Sequence, residues 1–101
     1  MQTPLLARRR SSFMKNIKLS GRELAALRAL NFGSGSLGSD IQERTRIIAE
    51  EMVEVMNGLM EAGFVEANPP VESVTLETLP KTLFEVNPGY VQELKLAIRR
   101  T

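Results

Sequence analysis

A chain of 101 residues, 43% hydrophobic and 25% charged, has room for one core and not for two, with the residue usage of an ordinary globular domain. Cysteine and histidine are both absent, which excludes a disulfide framework, thiolate metal sites, cysteine nucleophiles and histidine acid–base chemistry. The net charge of +1 conceals a separation: residues 1–28 carry seven cations against Glu23, a balance of +6, whereas residues 29–93 carry eleven carboxylates against Arg44, Arg46 and Lys81, a balance of −8. Such separation steers an anionic partner, pairs two subunits head to tail, or is complementarity within one molecule.

Residues 1–19 lack periodicity and predict a basic, flexible arm that contains Lys15 and Lys18. Met14 opens MKNIKLSGREL, itself a natural start. The first residues lack the apolar core of a secretory signal, so a cytoplasmic location is expected. The domain proper is expected over 20–101. Ser20-Gly21-Arg22-Glu23 has the form of a capping box. Leu24, Leu27 and Leu30 then predict a helix near 20–31, ended by Asn31 and Gly33.

Gly33-Ser-Gly-Ser-Leu-Gly38 matches the letters of the dinucleotide fingerprint. That motif needs a strand before it and a βαβ unit around it; here a helix precedes, so a flexible connector is expected. Ser39-Asp40-Ile41-Gln42 forms a second capping box. Ile41, Ile48, Met52, Val55, Met56 and Leu59 recur at helical spacing until Gly63. One long helix is permitted, but a break at Thr45-Arg46-Ile47-Ile48 is preferred. Helices near 39–46 and 48–62, with the first, then bury all the stripes as a three-helix cluster.

After Gly63, the segments 64–67, 71–76 and 82–86 predict a wing of two or three strands, broken at Asn68-Pro69-Pro70 and Leu79-Pro80-Lys81. Phe64, Val74, Leu76 and Phe84 would cover the helices. Asn87-Pro88 starts a last helix near 88–100. Tyr90, Val91, Leu94, Ala97 and Ile98 share one face of it, and that face serves either a homodimer through residues 88–100 or packing on the first helix. Leu27, Met52, Leu59, Phe64 and Phe84 are expected to be buried together.

Glu61-Ala-Gly-Phe-Val65 resembles the "EAGLV" that ends the second helix of a winged helix-turn-helix domain and begins its wing. Leu83-Phe-Glu-Val-Asn-Pro-Gly-Tyr90 resembles the "Y-x-L-T-P-x-G" that leaves the wing in regulators similar to the MarR and PadR families, with asparagine at 87 where threonine is usual. In that register Ile47 falls on the apolar residue of the turn, Met52, Met56 and Leu59 fall on buried positions of the recognition helix, and Arg46 stands where glycine is common. The resemblance implies a mainly α domain with a small β wing: a three-helix cluster, a β-hairpin wing and a C-terminal helix. It also implies a helix in the major groove of duplex DNA, with phosphate contacts from the wing.

No catalytic constellation or cofactor motif stands in the sequence, and an enzyme is not expected. Glu50, Glu51 and Glu54 read as a solvated face rather than a metal site, because hard-cation sites draw more oxygens from shaped loops. No apolar run approaches the ~18 residues of a membrane span. The groups expected to meet DNA are Lys15, Lys18, Arg44, Arg46 and Lys81 on phosphates, with Asn57 on a base edge if it faces outward. Between Ala49 and Gly63, however, every charged residue is acidic, and carboxylates are repelled by phosphate charge. The alternative is a winged helix that uses its acidic third helix or its last helix to meet a basic protein. Gly58 costs about 1 kcal/mol of helix stability against alanine, which suggests a close backbone approach to DNA or to another helix. Met60, off the main stripe, is the methionine expected to be exposed.

Overall fold

In the computed structural model, which describes residue 19 and residues 21–99, the first helix is Gly21–Ala29 (α1). The Ser20 cap and residues 1–18 of the expected arm, with Lys15 and Lys18, lie outside the described residues, and Leu19, expected to end the arm, packs partly buried against the core. Beyond α1 the chain is tied down rather than flexible, which corrects the connector expectation. The Asn31 side-chain carbonyl accepts from the amides of Gly33 and Ser34 at 2.8 and 3.1 Å. The Asn31 amide donates to the Ser36 hydroxyl, and the Gly35 amide donates to the Asn31 carbonyl. This local turn delivers a two-residue strand, Ser36–Leu37 (β1).

Two glycines make that delivery possible. Gly35 has φ +81°, and a Cβ there would stand 2.7 Å from the Phe84 carbonyl oxygen. A Cβ at Gly38 would collide with the Leu79 carbonyl. The second helix, Gly38–Thr45 (α2), starts directly from β1. Ser39 therefore lies inside the helix, and the second capping box is not formed. The Gly38 amide instead donates to the Thr82 carbonyl at 2.9 Å.

The break between helices is present. Arg46 adopts the left-handed conformation with φ 61°, its amide donating to the Gln42 carbonyl, and Ile48 is extended before the third helix, Ala49–Glu61 (α3). Ile47 packs against the core. Ile48, counted above in the buried stripe, is 58% exposed, because the turn rotates it away from the α3 face. α3 buries Met52, Val55, Met56 and Leu59. It ends in paired bonds, Gly63 amide to Met60 carbonyl and Phe64 amide to Leu59 carbonyl, with Gly63 at φ +87°; this is the glycine-closed helix end of the Schellman type.

Val65–Asn68 (β2) and Leu83–Val86 (β3) pair antiparallel, and β1 pairs with the other side of β3, giving the order β1-β3-β2. Residues 71–76 form no strand. Their neighbours Pro69 and Pro70 have no amide proton to give a ladder, and both backbone groups of Val74 bond to the Asn57 side chain instead. Leu76 is accordingly 51% exposed rather than core. Thr75 and Thr78 tie a turn into a short 3-10 segment, Leu79–Lys81, whose Leu79 is fully buried beside α2.

Asn87 caps as expected: its side-chain carbonyl accepts from the Gly89 amide while its amide nitrogen donates to the Gly63 carbonyl. A 3-10 turn, Pro88–Tyr90, leads into Val91–Arg99 (α4). α4 packs on α1 with Leu94 and Ala97 buried and Tyr90, Val91 and Ile98 against the core. Leu27, Met52, Leu59 and Phe84 all reach the core at 0–1% exposure, whereas Phe64 is only partly buried at the rim, edge-on to Tyr90 at 5.0 Å. Met60 is also partly buried against the core. The result is mainly helical with a small three-stranded antiparallel sheet.

Candidate interaction surface on the third helix

A helix advances about 100° per residue, so residues opposite Met52, Met56 and Leu59 on α3 are Glu50, Glu54 and Glu61. All three are exposed. The two flanks between buried face and carboxylate ridge are occupied. On one, Glu51 pairs with Arg22 of α1 at 3.2 Å, and the nearest heavy atom to a Cβ built at Gly58 is a Glu23 carboxylate oxygen at 4.0 Å. Gly58 therefore faces another helix, across ordinary van der Waals distance rather than in close backbone contact. Arg22 and Glu51 are 54% and 45% exposed, so their pair contributes at most about 1 kcal/mol.

On the other flank, Asn57 does not face a base edge, which corrects its assignment. Its amide nitrogen donates to the Val74 carbonyl at 3.0 Å and its carbonyl accepts from the Val74 amide at 2.8 Å. Asn57 thus mimics a strand edge and holds the loop after β2 against α3. Val74 is 3% exposed, so the clamp is backed by apolar contact.

The expected cations do not gather on this surface. Arg44 donates through Nη1 to the Ala29 carbonyl at 2.8 Å, where its charge complements the negative end of the α1 dipole. Arg46 is exposed beside Ile48 at the turn, and both line a hollow of about 490 Å³ with Ser39, Gln42, Glu43 and Ile47. Lys81 is exposed at the end of the 3-10 segment, between Leu79 and Thr82, which both touch Gly38 at the start of α2. Among the described residues, neither the Arg46 nor the Lys81 side chain has a hydrogen-bonding or charged partner. Lys15 and Lys18 lie outside the described residues.

Among the described residues no three potential metal-ligating side chains converge: Glu50 and Glu54 share the outward ridge of α3, and Glu51 turns to the flank to meet Arg22. No helix among the described residues is long and apolar enough to cross a membrane. No protein-family model, curated protein or solved structure matches this chain.

Proposed function

We propose that the chain is a winged helix-turn-helix domain that serves as a protein-interaction module, its α3 carboxylate ridge meeting a cationic protein surface. The fold part of the reading is supported by the element order α1-β1-α2-α3-β2-β3, by β1 pairing with β3 rather than β2, and by the tight left-handed turn at Arg46. The functional part rests on one observation. The outward ridge of α3 presents Glu50, Glu54 and Glu61, while the polar residue that would read a base, Asn57, is held by Val74. A helix of that charge in the major groove meets phosphate repulsion without a compensating cation of its own.

A photoreactive amino acid placed at Glu54 in cells tests this directly. Protein adducts are expected, and they should fade when Glu50 and Glu61 become glutamine. Nucleic-acid adducts at that position would overturn the reading.

Duplex DNA is the second reading, favoured by the exposure of Arg46 and Lys81 at opposite ends of α2. It requires weak, mostly non-specific binding with a steep salt dependence. Arg46→Ala with Lys81→Ala should then flatten the salt slope, and Glu50→Gln with Glu54→Gln should tighten binding. Titration of a fluorescent duplex at low and moderate salt measures both. No binding at low salt removes DNA as a ligand.

A further inference from the structure

Among the described residues β2 is an outer strand of the sheet: β3 pairs with one side of it, and no strand pairs with the other. A hollow of about 570 Å³ is lined by all of Val65–Asn68 together with Met60, Pro70 and Val71. A second hollow, of about 250 Å³, is walled by Phe32, Pro88 and Val91. Glu66 and Glu85 line both hollows, so the two adjoin at this carboxylate pair and make up a trough beside β2. Glu66 and Glu85 are also direct cross-strand partners. Like charges placed opposite each other on one face destabilise a strand pair, and among the described residues neither has a cation beside it.

We propose that this trough docks an extended segment of a partner protein, with arginine or lysine between apolar side chains. An unpaired strand edge offers amides and carbonyls to an extended chain. The apolar walls take side chains on either side, and the Glu66–Glu85 pair takes the cation between them, preferably a guanidinium that can reach two carboxylates. Charge complementarity selects the occupant: the cation relieves a repulsion that the folded chain otherwise carries. The proposal deepens the protein-interaction reading and rests on it, adding a site distinct from α3.

The test uses the full chain, labelled with ¹⁵N, and a synthetic peptide of alternating valine and arginine, which carries the required apolar and basic groups and copies no segment of this chain. Saturable amide shifts are expected at Glu66, Glu85, Val71 and Val91. Glu66→Gln with Glu85→Gln should weaken the peptide about tenfold, the loss of a charge-assisted contact. That variant removes a repulsive pair, so it should fold at least as well as the parent. It should also leave crosslinking through residue 54 intact, which separates failure of the trough from failure of the α3 reading. Three results would overturn the proposal: shifts centred on Glu50, Glu54 and Glu61; no saturable shift; or trough resonances that move with salt alone, which would make the chain's own basic segment the occupant.

Discussion

Arg46 occupies a conformation that costs an L-residue about 1–2 kcal/mol and costs glycine almost nothing. Its φ of 61° is set by the turn between α2 and α3. Arg46→Gly should therefore raise stability, by up to about 1 kcal/mol once the looser unfolded chain is counted, and Arg46→Val should lower it. Gly58 offers the converse change. With the nearest neighbour of a new Cβ at 4.0 Å, Gly58→Ala fits without strain and should add about 1 kcal/mol, or about 4–8 °C in thermal midpoint for a domain of this size. A drop in midpoint would mean that α1 and α3 lie closer than this. Asn57→Ala should cost about 1–3 kcal/mol, because it strands both backbone groups of Val74. Its signature is faster amide exchange over residues 71–78 while α3 stays protected. None of these roles was legible from spacing. An asparagine on a helix reads the same whether its amide meets water, a base or a loop seventeen residues later.

The helices were legible because burial imprints a 3.6-residue period on them. Met52, Met56 and Leu59 stand on the core face, and Gly63 closes α3 where its left-handed freedom is needed. Leu59→Ala should cost on the order of 2–5 kcal/mol, as for other large core side chains, and chemical denaturation would measure it. Amide exchange should fall into two protected blocks, 38–45 and 49–61, with a gap at Arg46 to Ile48. The sheet was less legible, for a physical reason. β1 has only two residues, too few to show alternation, and it sits among serines and glycines that resemble a linker. Residues 71–76 carry enough β-branched side chains between turn signals to read as a strand, yet Asn57 supplies the hydrogen bonds that a neighbouring strand would have supplied. Leu79, fully buried, was hidden behind Pro80, which looks like a strand breaker and in fact shapes a 3-10 turn.

Across the whole molecule, the apolar face of α4 is used within the chain, with Leu94 and Ala97 against the core and Leu96 left 47% exposed. Among the described residues of 88–100, Leu96 is the exposed large apolar side chain, so a homodimer through this segment is expected to use it. Leu96→Asp should therefore dissolve such a dimer without unfolding the chain, which sedimentation and circular dichroism would report together. The charge separation seen in the sequence is partly spent inside the fold, since Arg22 meets Glu51 and Arg44 meets the end of α1. What remains outward on α3 and across the sheet is acidic. The ridge on α3 was readable from helical spacing. The Glu66–Glu85 pair was not, because strand register joins residues that the sequence holds apart.

The position of β1 also bears on how the chain is born. Translation delivers α1, β1, α2 and α3 first, but three ties that fix β1 and the start of α2 wait for later residues: the β3 ladder, the Thr82 carbonyl and the buried Leu79. Such non-local closure slows folding relative to helix formation. A nascent chain arrested after Asn68 should hold its helical segments without a protease-resistant core. Resistance should appear in one step once Val86 has left the ribosome, which makes the synthesis of β3 the moment at which this domain becomes a domain.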